Sequence, residues 1–376
     1  MLEDIVLLSQ QLIKIPSISP LDLGCQKIIS KRLKKIGFSV EEININQTNN
    51  LWAYRGTGKT LTFLGHTDVV PPGDLNEWNT DPFKPKIINN FLFGRGISDM
   101  KGSLSSMIVA TEYFIKKNPF HKGRISFLIT SDEESSGNDG IKKVIKILKK
   151  RKENIEYCLV GEPTSDIFLG DVIKNGRRGS LSAELIIYGT QGHIAYPNLA
   201  DNPIHKSIYF LKKLISLELD SGNRHFQSSN LQIFNLSSGQ KNITNIIPNS
   251  IHIGLNIRYN TEITKEEIVF KIEKLLLKNN LKYNINWIFS GYPFITQSGL
   301  LLNTVKNSIF NIQKFIPTLS TSGGTSDGRF FSCINSEIIE LGLINKTIHK
   351  VNECAKIKDL YILAKIYKDI LKNIFI

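Results

Sequence analysis

The stretch LTFLGHTDVVPPG, residues 61–73, decides how the rest of the chain is read. It opens as an apolar run with one β-branched polar residue, the pattern of a strand buried on both faces. Gly65 ends the run, His66 and Asp68 follow two residues apart, and Pro71 and Pro72 stop any extension. A buried strand ending in two chemically active side chains points to a parallel sheet. In such sheets, ligand sites form outside the carboxyl ends of the strands.

Working outward, the pattern repeats. RISFLIT at 124–130 is another nearly continuous apolar run, followed by Asp132, Glu133 and Glu134. A strand at 155–160 is followed by Gly161, Glu162 and Pro163. Strands are also expected at 38–45 and 51–55, with a hairpin at 87–96 turning at Asn89–Asn90, residues that tolerate left-handed backbone. Helical spacing marks 2–14, 22–36, 100–117 and 139–150. The expected fold class is therefore α/β, a mostly parallel sheet flanked by helices.

Near residue 180 the texture changes. LSAELIIYG at 181–189 alternates apolar and polar residues, as a half-buried strand does. A helix at 203–217, strands at 230–238 and 250–258, a helix at 264–278 and a strand at 282–289 follow. That order describes a two-layer α+β unit. Alternation of helix and strand resumes near 295 and ends in a helix at 356–373. The organisation expected is a domain of residues 1–178 and 295–376, with residues 179–294 inserted.

Composition excludes several classes. The 376 residues are 41% hydrophobic and 22% charged, values of a globular chain. The net charge of +13 comes from lysines spread along the whole chain. Its densest cluster, KKVIKILKKRK at 142–152, has the spacing of one solvated helix face, and no basic arm points to nucleic acid. Cys25, Cys158, Cys333 and Cys354 form no CxxC pair, so reduced thiols are expected. Glu3 and Asp4 stand where a signal peptide carries basic residues, and no apolar run reaches membrane-spanning length. A cytoplasmic protein with neither a nucleic-acid nor a membrane partner is expected.

His66, Asp68, Asp99, Glu133, Glu134 and Glu162 thus fall at successive strand ends or, for Asp99, just before a helix. Each piece alone is an ordinary turn or helix start. Together they would place several carboxylates on one rim, where like charges raise one another's pKa. A divalent metal removes that conflict, and one histidine among carboxylates suits zinc or another borderline ion.

The motifs GHTDVVPPG, GRGISDMKG, TSDEES and GEPT, in this order, resemble the zinc aminoacylase/carboxypeptidase family of metallopeptidases. The likeness extends through SPLDLGCQ, GDVIKNGRRGS, GHIAYPNLADNP, TSGGTSDGRF and NKTIHKVNEC, and departs at Leu343, where proline is expected. KNGRRGS and TSGGTSDGRF narrow it to the branch that removes a succinyl group from a diamino diacid. The resemblance implies two zinc ions per subunit, with cobalt a possible substitute. Asp99 would bridge them, with His66 and Glu162 on one and Glu134 and His349 on the other. It makes Glu133 the general base for a metal-activated water, and Asp68 the acceptor of the second His66 ring N–H. It further implies a cis peptide between Asp99 and Met100. A small anionic substrate would be held by Arg177, Arg178, Arg258, Gly324, Thr325 and Asn345. The inserted domain would form a homodimer, so that His193, accompanied by Asn245, donates to the oxyanion in the partner's site.

Overall fold

The computed structural model describes residues 1–135, 137–240 and 242–376. The chain divides into two compact units. One comprises Met1–Gly176, Ile295–Ser320 and Ser326–Ile376; the other comprises Arg177–Phe294 with Thr321–Thr325.

The first unit is built on an eight-stranded sheet. Its order is Ser39–Glu42, Asn50–Gly56, Arg124–Thr130, Thr60–His66, Tyr157–Val160, Glu337–Glu340, Val172–Lys174 and Thr318–Ser320. The four strands from Arg124–Thr130 to Glu337–Glu340 run parallel, while the first two strands pair antiparallel. Every residue of Thr60–His66 is buried, as the apolar run requires. Register puts His66 beside Thr130 and Leu64 beside Val160. The strands therefore end abreast, and the residues after each end share one rim.

Helices Leu2–Ile13, Gly102–Lys117 and Ile357–Phe375 pack together, and Ile5, Leu8, Leu104, Ile108, Leu360 and Leu363 join Phe63 and Phe127 of the sheet in one core. Helix Ile141–Lys150 packs on strand Arg124–Thr130. It buries Ile141, Val144, Ile145 and Leu148 and exposes Lys143, Lys146, Lys149 and Lys150, the solvated face its spacing implied. Leu343, the departure from the family pattern, is buried in the core, and a Cβ on Gly102 would meet its Cδ1 at 2.8 Å.

Several expected elements are shorter, two of them beside a visible break in the backbone pattern. The strand at 38–45 ends at Glu42, because Ile45 and Thr48 bridge across a turn with Asn46 at φ 51°. The helix expected from 100 begins at Gly102, after a cis peptide between Asp99 and Met100.

The second unit is a four-stranded antiparallel sheet, ordered Asn230–Ser238, Ser250–Tyr259, Gly179–Tyr188 and Tyr283–Gly291. Leu181, Ala183, Leu185 and Ile187 alternate inward and pack with Phe210 and Leu214 of helix Pro203–Ile215 and Ile268, Ile272 and Leu276 of helix Lys265–Lys278. The latter helix starts at a capping box in which Thr264 and Glu267 satisfy one another's backbone N–H groups. Edge strand Asn230–Ser238 leaves Phe234 and Leu236 exposed.

Candidate metal centre

Two glycines bring the strand ends and the Asp99 turn together. A Cβ on Gly65 would lie 2.4 Å from Met100 Cε, and one on Gly161 would lie the same distance from that atom. Real Cβ atoms do not approach this closely, so both positions need the bare backbone. The Met100 side chain fills the notch between the two strands. Each partner in that contact adjoins a polar residue of the site: His66 follows Gly65, Glu162 follows Gly161, and Asp99 precedes Met100.

The result is two overlapping groups around one carboxylate. His66 Nε2 lies 3.2 Å from Asp99 Oδ1 and 3.6 Å from Glu162 Oε1. His349 Nε2 lies 3.3 Å from Asp99 Oδ2 and 3.0 Å from Glu134 Oε1. The two oxygens of Asp99 are thus shared between the two histidines. Ligand atoms of His66, Asp99 and Glu134 all lie within 4.8 Å of one another, as do those of His66, Glu133 and Glu162. Glu133 therefore belongs to the cluster, while Glu134 is the glutamate paired with His349.

Electrostatics in this cluster are mutually dependent. Burial would push Asp99 up, but the imidazoles of His349 and His66 hold its carboxyl well below the usual range. Burial would push His66 down, yet Asp68 and Asp99 hold it well above its ordinary value. His349 is pushed up to about 10 by hydrogen bonds to Asp99 and Glu134. Burial raises Glu133, with Asp327, Glu134 and Asp99 adding to it. Glu162 is likewise raised by burial and by Asp99 and Glu133. Raised carboxyls beside imidazolium ions are the arrangement that divalent cations would replace. Two imidazole nitrogens among carboxylate oxygens, gathered at these distances, fit borderline divalent ions.

The structure corrects one detail. His66 Nδ1 is 2.9 Å from the carbonyl oxygen of Asp68 and 3.5 Å from its Oδ1. The shorter contact of that ring nitrogen is thus with the backbone carbonyl, and the carboxylate stands just beyond it. The Asp68 carboxylate instead accepts the Glu134 N–H through Oδ2 at 3.0 Å, and its Oδ1 is buried with no hydrogen-bond partner among the described residues. Asp68 still faces the imidazole as a charge, and it also anchors the loop carrying Glu133 and Glu134.

In the second unit, Arg177 is buried and donates to Ser322 O at 2.9 Å, and Thr321 Oγ1 donates to His225 O at 2.5 Å. These bonds hold loop 321–325 to that unit. Arg178 Nη1 and Thr325 Oγ1 are buried without hydrogen-bond partners among the described residues. Gly324 is exposed, with nothing within 4 Å of a Cβ placed on it. Arg258 lies on Ser250–Tyr259, in register with Ser180 and Asn230. His193 is exposed on a two-residue strand paired with Ile246–Ile247, and Ile194 N donates to Asn245 O at 3.0 Å, so His193 and Asn245 are neighbours. In the first unit, Asn345 lines a 740 Å³ cavity with Lys346, Thr347 and Lys350.

Among the buried charges that sequence did not single out, one pair joins the Asp99 and His349 segments. Arg95 and Glu353 are both almost inaccessible and pair at 2.9 Å. Both lie inside quoted motifs, GRGISDMKG and NKTIHKVNEC, and that position was the only signal.

The model of the peptidase family M20/M25/M40 matches residues 62–373. The chain belongs to this family. Among M20 relatives, the succinyl-diaminopimelate desuccinylase of Buchnera aphidicola subsp. Acyrthosiphon pisum (strain APS) is 56% identical over 367 residues, 98% of each chain. That of Buchnera aphidicola subsp. Baizongia pistaciae (strain Bp) is 57% identical over 371 residues, 99% of this chain and 98% of the relative. Among solved structures, an M20 family metallo-carboxypeptidase from Sulfolobus solfataricus superposes with a TM-score of 0.83 at 20% identity, covering 98% of both chains. At that identity the likeness shows the shared α/β fold.

Proposed function

We propose that this M20 chain hydrolyses N-succinyl-LL-2,6-diaminopimelate to succinate and LL-2,6-diaminopimelate, in diaminopimelate and lysine biosynthesis. The observation that carries the chemistry is the division of Asp99 between His66 and His349. The full-length likeness to desuccinylases carries the substrate.

His66, Asp99 and Glu162 would hold one metal ion, and Asp99, Glu134 and His349 a second. Two zinc ions suit the donor set, with cobalt a workable substitute. Bound there, the metals lower the pKa of a water molecule and polarise the amide carbonyl. Glu133 accepts a proton from the attacking water and returns it to the leaving nitrogen. Its place in the cluster, next to Glu134 and within reach of His66 and Glu162, suits a group that must do both. Arg178 and Arg258 would grip substrate carboxylates, because a guanidinium fork matches a carboxylate. The unspent Nη1 of Arg178 and Oγ1 of Thr325 support their roles. Arg177, already bonded to Ser322 O, would brace the loop carrying Gly324 and Thr325. Asn345 would add a substrate contact.

The second unit would pair with its twin. Exposed Phe234 and Leu236, with Ile208 and Tyr209 on helix Pro203–Ile215, support an association surface there. His193 and Asn245 would then serve the partner's oxyanion. The protein would work as a cytoplasmic homodimer.

The test compares succinate release from N-succinyl-LL-2,6-diaminopimelate with acetate release from N-acetylornithine, alongside metal content per chain. Faster turnover of the acetylated compound would overturn the substrate. Full activity in a metal-free preparation would overturn the centre.

A further inference from the structure

The metal reading leaves a mechanical problem. Asp99 and His349 must meet at one point, yet they come from segments 250 residues apart in sequence. His349 is half exposed and its backbone sits at φ 58°. Residues with a Cβ seldom occupy that region, and such a conformation persists only where its surroundings enforce it.

We propose that Arg95 and Glu353 form an internal strap that positions His349 against Asp99. Glu353 is the fourth residue after His349, and all four described hydrogen bonds of its carboxylate go to the Asp99 segment. Oε1 accepts Ser98 N–H at 2.8 Å and Asp99 N–H at 3.2 Å. Oε2 accepts Gly96 N–H at 2.8 Å and the Arg95 guanidinium at 2.9 Å. Arg95 Nη1 also donates to Lys350 O, the residue after His349, at 3.0 Å. Its Nη2 reaches Pro71 O at 3.3 Å and Pro72 O at 3.2 Å, while the guanidinium lies 5.2 Å from the centre of the Trp78 ring. The pair thus joins the segments carrying Asp99 and His349 and ties both to the prolines that follow Asp68.

The pair touches neither Glu162 nor the loop carrying Glu134 among these bonds. Met100, wedged at Gly65 and Gly161, holds Asp99 against His66 independently. Loosening the strap therefore frees His349 while leaving the His66 side in place. Arg95 and Glu353 are positioning residues: their effect reaches the reaction through His349.

The inference rests on the two-metal reading, and a titration separates their failures. Metal-free protein is titrated with Co²⁺ and followed by visible absorption and calorimetry. Wild type should take two ions per chain in distinguishable steps, and His349→Ala should identify the step that depends on His349. Glu353→Gln should weaken that step by about 10–100-fold and leave the other unchanged, since the amide offers an N–H where an N–H donor already points. Arg95→Lys keeps the charge but cannot reach Lys350 O, Glu353 and the two prolines together, and should weaken the same step less. A wild type that binds fewer than two ions would sink the two-metal reading. Two ions in wild type with both variants binding like it, even at a lowered melting temperature, would sink the strap. Equal weakening of both steps, or failure of both variants to fold, would assign the pair to general stability and overturn the inference.

Discussion

Asp68→Asn and Asp68→Ala should separate the two roles the structure gives this carboxylate, its charge beside His66 and its anchoring of Glu134. In the structure the His66 Nδ1–H bond goes to the Asp68 carbonyl, which any residue supplies. Asparagine at 68 keeps that carbonyl and offers an oxygen to the Glu134 N–H now held at 3.0 Å. What it loses is the charge 3.5 Å from the imidazole. An outer partner of a metal-ligating histidine is worth about 10–100-fold in metal affinity or activity. With the hydrogen bond surviving, Asp68→Asn should fall at the low end, about 10-fold in kcat/KM. Alanine also strands the Glu134 N–H. An unpaired buried donor costs about 1–3 kcal/mol; this donor is partly buried, so at about 1.4 kcal/mol per tenfold the added loss is at most about 150-fold. Asp68→Ala should therefore be clearly worse than Asp68→Asn. The assay is succinate release with metal content measured on the same samples. Equal losses in the two variants would show that the Glu134 anchor contributes nothing. An Asp68→Asn protein as inactive as His66→Ala would show that the carboxylate, not the carbonyl, governs the imidazole.

Glu133→Gln should retain two metals per chain and lose turnover by about 10²–10⁴-fold, the span of a general base; loss of a metal in elemental analysis would mean that Glu133 is a ligand. Metal uptake at pH 7 should release protons, seen with an indicator dye in weak buffer, because His349 is held near 10 and His66 and Glu162 above their ordinary values, while ligation needs the imidazoles neutral and the carboxylate ionised. Affinity should accordingly fall as pH falls, and uptake without proton release would contradict the charge states. In the metal-free protein, the His349 pairing stabilises the fold fully below about pH 6.5 and its contribution disappears as pH rises through about 10, which thermal melts across that window would follow. Inactive His193→Ala and Glu133→Ala proteins should recover part of their activity when mixed under conditions of proven subunit exchange, since one hybrid site would hold an intact base and an intact partner histidine; exchange without recovery would confine His193 to its own chain.

How much of this was legible in the sequence depended on distance along the chain. RISFLIT and LTFLG declare their strands because burial on both faces needs apolar residues throughout, and Arg124–Thr130 spans the expected residues. That the strands end abreast followed from parallel pairing. The notch at Gly65 and Gly161 was not legible, since it depends on Met100 arriving from a third segment. Nor was the carbonyl bond to His66, because a backbone oxygen leaves no trace in residue type. Arg95 and Glu353 lie 258 positions apart, and nothing local distinguishes a buried charge from a solvated one.

The inserted second unit has a consequence for the order in which the site is made. His66 ends one strand of the block from Ser39–Glu42 to Tyr157–Val160, Glu162 follows another, and Asp99 lies in the turn before helix Gly102–Lys117, so all three are present once residue 162 has been added. His349 comes 187 residues later. At synthesis rates of about 5–20 residues per second that is a delay of about 10–40 s. For nearly all of it, strand Glu337–Glu340, which flanks Tyr157–Val160 in the finished sheet, does not yet exist. A nascent chain thus carries His66, Asp99, Glu134 and Glu162 while His349 is still untranslated. The protein becomes an enzyme only with the last thirty residues, when the same closing segment supplies both His349 and the Glu353 that fastens it.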